Sequence, residues 1–296
     1  MILIFGGIAL SWVAGWLWKA IPAPSADVSA DGTLTEGLTK IIRYTASEEE
    51  DVINSAVENL PRNAEDKVTA DAYIVKDLSK NTVWMEYDPT RLLPVASLTK
   101  LVTAVVARRS IRPDLKIEII PEIVITFGNT AGFRAGETFT AADLIYPLMM
   151  VSSNDAAEAY ARVFGRRAFV KMMNDFAQSI GAYRTYFVDP SGLSKANIST
   201  ATDLAIIIDW IRENDPSLLA VTTLKSKTIR NHTWVNPAHF LSWSYYIGGK
   251  NGYTDEAGRT SASLFKLGYD KEIYAVVVLG SDNRDADVVR LINKVK

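Results

Sequence analysis

The 296-residue chain contains no cysteine, which excludes disulfides and thiolate–metal sites. Histidine is almost as scarce: only His232 and His239 occur, with no HExxH spacing, so no catalytic metal is expected. There is no glycine-rich phosphate loop, so no nucleotide cofactor is expected either. Neither sign of charge dominates, with 32 basic residues against 34 acidic and a net of −2. That balance leaves no electrostatic footprint for nucleic acid. No internal repeat is evident. Apolar residues are plentiful at 48 %, enough for a sizeable core.

One long uncharged run stands out, Ile2 to Trp18. As a helix it would reach roughly 26 Å, close to the thickness of a bilayer core. Lys19 follows it, and Trp12, Trp16 and Trp18 are suited to an interface. Residues 1–21 are therefore expected to be a membrane anchor, with the rest of the chain outside. A cleaved signal peptide is the competing expectation, and cleavage would make the protein secreted. It lacks a charged n-region, and the nearest small-x-small site, Ile21-Pro22-Ala23, would leave Pro24 after the cut. Residues 22–62, with Pro22-Ala23-Pro24 and the acidic run Glu48-Glu49-Glu50-Asp51, read as a polar linker with a short helix at Glu49–Leu60.

From residue 63 to the end the pattern is that of a folded domain. Ala70–Lys76 and Thr82–Tyr87 predict two strands around the turn Asp77–Asn81. A helix follows Ser97, then a loop over Ile117–Phe127. Thr140 and Asp143 mark the start of a helix to Met150. Further helices are expected at Asp155–Phe164, Ala168–Ile180 and Thr202–Asn214. Strands return at Tyr245–Lys250, Thr260–Lys266 and Ile273–Leu279, before a last helix over Asp287–Lys296. Strands at both ends with helices between predict an α+β fold. One antiparallel sheet is built from the two ends, and a helical lobe is inserted between them.

The chemistry centres on Pro94-Val95-Ala96-Ser97-Leu98-Thr99-Lys100, where a turn meets an apolar helix. Ser97 and Lys100, three residues apart, share a helix face. A serine hydroxyl needs a base within hydrogen-bond reach to act as a nucleophile. A lysine can be that base if burial or a second cation keeps its amine neutral. Free N–H groups at the helix start can bind a developing oxyanion. Ser-x-x-Lys also occurs by chance, and serine is a common N-cap. Two further polar elements fall where a cleft between the lobes could use them. Ser152-Ser153-Asn154 lies in a helix–helix break, where it could equally be a plain N-cap. Gly248-Gly249-Lys250-Asn251-Gly252-Tyr253-Thr254 ends a strand, and as a bland alternative it is a glycine-rich hairpin turn.

In this order the three elements resemble the Ser-x-x-Lys, Ser-x-Asn and Lys-Thr-Gly set of penicillin-binding proteins and serine β-lactamases. The wider stretches Leu93–Lys100, Val151–Ala157, Asp189-Pro190-Ser191-Gly192-Leu193 and Gly249–Arg259 are similar to the low-molecular-mass D-alanyl-D-alanine carboxypeptidases. The resemblance covers roughly residues 65–294 and implies the β-lactamase/transpeptidase-like fold. It implies Ser97 as nucleophile, Lys100 as its base and Ser152 as a proton relay to the leaving amine. Asn154 would bond Lys100 and the substrate amide. Lys250 would hold Lys100 neutral and attract the substrate's terminal carboxylate, with Arg284 as a looser match facing the same group. The N–H groups of Ser97 and Tyr253 would form the oxyanion hole, beside Gly252. The implied partners are peptidoglycan stem peptides ending in D-Ala-D-Ala and, as covalent inhibitors, β-lactam antibiotics. No metal or cofactor is implied.

Asn251 departs from the family pattern, which has threonine or serine there. Its amide replaces a hydroxyl that donates to the substrate carboxylate. This departure supports a second expectation, a weak or silent module that binds wall peptides without cleaving them. A β-lactamase of the same fold is a third expectation, but Val188–Thr202 contains no glutamate to deacylate it. A D,D-endopeptidase would use the same residues. Ser281-Asp282-Asn283 spells Ser-x-Asn literally, yet it follows Lys250 in the chain and reads as a polar turn.

Overall fold

The computed structural model describes residues 67–267 and 272–295. The expected anchor or signal, the linker and the Glu49–Leu60 helix lie outside the described residues. Among the described residues, no helix is long and apolar enough to cross a membrane.

A five-stranded antiparallel sheet forms the frame. Its strands are β1 (Ala72–Asp77), β2 (Thr82–Tyr87), β3 (Tyr246–Thr254), β4 (Gly258–Leu267) and β5 (Glu272–Ser281), in the order β2-β1-β5-β4-β3. The two ends of the domain meet where β1 pairs with β5, with Ala72 opposite Leu279 and Asp77 opposite Tyr274. β5 explains why both faces are covered, since its side chains alternate between them. Ala275, Val277 and Leu279 join one apolar cluster, and Tyr274, Val276 and Val278 join the other. The second cluster is closed by Val288, Leu291 and Ile292 of the last helix, α7 (Arg284–Asn293).

The helical lobe packs on the opposite face. Its central helix, α1 (Thr99–Ser110), is buried from Thr99 through Ala107, as expected of a helix apolar nearly all round. Around it lie α2 (Ala141–Met150), α3 (Asn154–Phe164), α4 (Arg166–Ser179), α5 (Ala201–Asn214) and α6 (Pro216–Thr222). α2 opens on a reciprocal capping box between Thr140 and Asp143, as the sequence predicts.

Several elements differ from the expectation. Ile117–Phe127 is not a plain loop. It holds part of the short strand Lys116–Glu118, paired with Thr138–Thr140, and a helical turn at Pro121–Val124. α6 and the hairpin Ser226–Ile229/His232–Val235 have no counterpart in the prediction. The last helix begins at Arg284, three residues earlier than expected, because Asn283 caps it by accepting from Ala286 N at 3.2 Å. The largest correction concerns Gly248–Thr254. It is the body of edge strand β3, paired residue by residue with β4, rather than a strand end or a hairpin turn.

Candidate active site

Ser97 sits in a single 3-10 turn, Ala96–Leu98, immediately before α1. Ala96 has φ +48°, an unusual conformation for a residue with a side chain. Two neighbours hold the turn. Val95 N donates to Asn197 O at 3.0 Å, and Thr260 Oγ1 on β4 donates to Val95 O at 3.2 Å. Backbone also presses on it from both sides. A Cβ at Gly192, where φ is +88°, would lie 1.9 Å from Ala96 O, and one at Gly252 would lie 2.8 Å from Ser97 N. Only glycine fits at either place.

Lys100 is fully buried one turn further on. Its Nζ lies 3.0 Å from Ser97 Oγ, 2.7 Å from Asn154 Oδ1 and 2.6 Å from Ser191 O. Burial pushes its pKa well below the usual lysine value, and the charge of Lys250 pushes it further, against the opposing pull of Asp189 and Asp155. A neutral amine has two protons and one lone pair. The two carbonyl oxygens take the protons, which leaves the lone pair to the serine hydroxyl.

The other elements converge on this pair. Ser152 stands between α2 and α3 with φ +59°, and its Oγ is buried without a hydrogen-bond partner among the described residues. Ser153 caps α3, accepting from Ala156 N at 2.9 Å and donating to Asp155. Asn154 donates to Phe127 O at 2.8 Å, which fixes its amide so that the oxygen faces Lys100. Lys250, on β3, is 6 % exposed and donates to Asn251 O at 2.8 Å. Burial and then the Arg284 guanidinium lower its pKa to about 7. Arg284, first residue of α7, reaches Gly252 O at 3.5 Å.

Ser97, Ser152, Lys250, Asn251, Gly252, Tyr253 and Arg284 line one cavity of about 450 Å³, and Lys100 is buried below it. A second cavity of about 420 Å³ meets Ser97 from the other side, between Asn154, Gly192 and Tyr253. All nine residues singled out from the sequence are therefore brought together. Ser281 and Asn283 are not part of the site: Ser281 donates to Asp287 at 2.6 Å, and Asn283 is the α7 cap.

Sequence reasoning missed three contributors. Ser191 acts through its carbonyl, which no side-chain pattern reveals. Gly192 is the close-approach point, and only its place in the Asp189–Leu193 stretch hinted at it. Asp189 staples that loop, accepting from Ser191 N, Gly192 N and Ser194 N at 2.7–2.8 Å. Burial opposes its charge, but these bonds win and hold the carboxyl below its usual range. It thus faces its own loop and is not a free base for water.

Chemically, the arrangement suits attack by a hydroxyl on an acyl group that carries an anionic end. Lys250 sets the pH window. A group with pKa about 7 is charged below that value and neutral above it. Acylation by an anionic penicillin should therefore slow as pH rises through about 7, read as the second-order labelling rate. A rate unchanged from pH 6 to 9 would show that the Lys250 charge is not needed.

A family model described as "Peptidase S11: D-alanyl-D-alanine carboxypeptidase" matches residues 59–283. A D-alanyl-D-alanine endopeptidase of Pseudomonas aeruginosa is 32 % identical over 62 % of this chain and 63 % of its own length. The corresponding Escherichia coli endopeptidase is 31 % identical over 65 % and 66 %. The chain thus spans just under two thirds of these two relatives. The carboxypeptidase DacB2 of Mycobacterium tuberculosis is 32 % identical over 70 % of this chain and 74 % of its own. Among solved structures, a D-alanyl-D-alanine carboxypeptidase from M. tuberculosis superposes with a TM-score of 0.71 at 26 % identity, covering 77 % of this chain and 90 % of that one. The Streptomyces K15 DD-transpeptidase gives 0.70 at 25 % identity, covering 77 % and 97 %.

Proposed function

Because the chain belongs to the Peptidase S11 family of D-alanyl-D-alanine carboxypeptidases, we propose that it is a serine D,D-carboxypeptidase that removes the terminal D-alanine of peptidoglycan stem peptides. One observation carries the reading: a buried lysine amine, its pKa held well below the usual value, 3.0 Å from a serine hydroxyl that opens into a cationic cavity. Ser97 Oγ attacks the carbonyl of the penultimate D-alanine while its proton passes to Lys100 Nζ. The N–H groups of Ser97 and Tyr253 receive the oxyanion. Lys100 returns that proton through Ser152 to the nitrogen of the departing D-alanine, so Lys100 and Ser152 regain their starting protonation and an ester to Ser97 remains. Water then cleaves the ester, giving up its proton to Lys100, and restores the Ser97 hydroxyl. Lys250 and Arg284 hold the terminal carboxylate, and Asn154 bonds the substrate amide. A β-lactam would acylate Ser97 and stay attached, because its leaving nitrogen remains part of the acyl group and stands where the departure of D-alanine would admit water.

The test uses the whole chain with a fluorescent penicillin and with a pentapeptide ending in D-Ala-D-Ala. Stable labelling together with D-alanine release is the expected result. Rapid loss of label would replace this reading with a β-lactamase, and absence of both signals with a silent wall-peptide module. The endopeptidase reading has its own support in the names of the Pseudomonas and Escherichia relatives. Cleavage of a cross-linked muropeptide dimer faster than the pentapeptide would favour it. Asn251→Thr should raise D-alanine release by roughly tenfold to a hundredfold, the value of one hydrogen bond to a charged carboxylate. Unchanged or lower release would show that the amide is no handicap. The uncharged run Ile2–Trp18 and the location of the wall peptides support a catalytic domain tethered outside the membrane.

A further inference from the structure

We infer that His239 is a specificity-determining residue: acting on Asp285, it sets the net positive charge of the cavity end that receives the substrate's terminal carboxylate. This rests on the carboxypeptidase reading above.

His239 opens the 3-10 turn His239–Ser242 just before β3. The turn is anchored by Phe240, which is buried against Phe265 and Trp243. That anchorage places the imidazole on the wall of the cavity that holds Lys250, with its side chain 44 % exposed. His239 Nδ1 lies 2.6 Å from Asp285 Oδ2, and the other carboxylate oxygen takes Arg284 Nε at 3.0 Å. One carboxylate is thus shared by an imidazole and a guanidinium, and the guanidinium lines the cavity that would receive the substrate's carboxylate.

The charged and titratable groups that line this cavity with the imidazole are Asp285 and Arg284 on α7, Lys250, Tyr246 and Tyr253 on β3, and Arg259 on β4, and of these Asp285 and Arg284 act on it directly. Tyr246 stays neutral, because burial raises its phenol far above the working range. Asp285 stays charged: burial opposes this, but His239 and Arg284 together hold it at about 2. With His239 neutral, Asp285 offsets the charge of Arg284. With His239 protonated, that offset is removed and the cavity gains a positive charge. The bond to Asp285 raises the imidazole pKa, outweighing burial, so the protonated form persists to a higher pH than for a free histidine. Asn251 lines the same cavity, so this charge acts where the family's usual hydroxyl is missing.

The experiment is a KM and kcat profile of the wild type, His239→Gln and His239→Lys, with a peptide ending in D-Ala-D-Ala and with its C-terminal amide. Lys250 titrates in all three proteins, so the claim is read from the difference between them. His239→Gln should raise KM for the free acid about threefold to tenfold at pH 6, with kcat unchanged. The effect should vanish at pH 9 and be absent for the amide at either pH. His239→Lys should keep the low KM at pH 6. Equal KM values for wild type and His239→Gln at pH 6 would overturn the inference, as would a parallel loss with the amide substrate. If the wild type releases no D-alanine, the carboxypeptidase reading fails by itself. The role of His239 is then read from the labelling rate with an anionic penicillin: His239→Gln should slow it at pH 6 and leave it unchanged at pH 9, and equal rates at pH 6 would overturn the inference.

Discussion

Ser97→Ala abolishes covalent labelling by a fluorescent penicillin and leaves the fold intact. The serine hydroxyl touches the Lys100 amine and faces the open cavity, so removing it costs the core almost nothing. Thermal stability should stay within a few degrees of the wild type, measured by calorimetry on the whole chain. Labelling has no substitute route. Ser152 Oγ has no hydrogen-bond partner among the described residues, and so no base among them. Ser191 Oγ donates to Asp189 at 2.9 Å and is held within its own loop. Stable label on Ser97→Ala would place the nucleophile elsewhere and overturn the mechanism.

Lys100→Met slows acylation by about 10³-fold or more, because a positioned base contributes roughly 10²–10⁴ and, among the described residues, Lys100 is the base that reaches Ser97 Oγ. Methionine has nearly the volume of lysine and no proton-accepting nitrogen. Two acceptors, Asn154 Oδ1 and Ser191 O, lose their donor, each at a cost of about 1–3 kcal/mol. Relief of the buried amine offsets part of that. The variant therefore folds with a modestly lower Tm, and its labelling time course stretches from minutes to days. Labelling within tenfold of the wild type would show that water or another side chain takes the proton.

The sheet was legible because β1 and β5 carry apolar residues on both faces and the turns beside them are polar. The Ser97–Lys100 pair was legible because a spacing of three on a helix fixes a shared face. β3 was cut short at Lys250 because Gly249 and Gly252 weaken a strand pattern. They are glycines because β4 and the Ser97 turn approach within contact of their backbone. α6 was missed because Pro216 reads as a stop although it occupies the first helical position. The Lys100–Ser191 bond spans 91 residues and ends on a main-chain oxygen, so side-chain identity carries no trace of it. His239 and Asp285 meet only because a 3-10 turn and a helix start fold onto the same cavity wall.

Gly192 and Gly252 grip the Ser97 turn like the two jaws of a vice, and the jaws are peptide groups rather than side chains. The nucleophile's place is accordingly insulated from changes in the cavity walls. Residues such as Asn251, His239 or Tyr253 can be exchanged to retune which peptide is accepted while the reactive oxygen stays where it was. Selectivity and reactivity are then separable properties, and a library that varies Asn251, His239 and Tyr253 should shift KM among peptides far more than it shifts kcat.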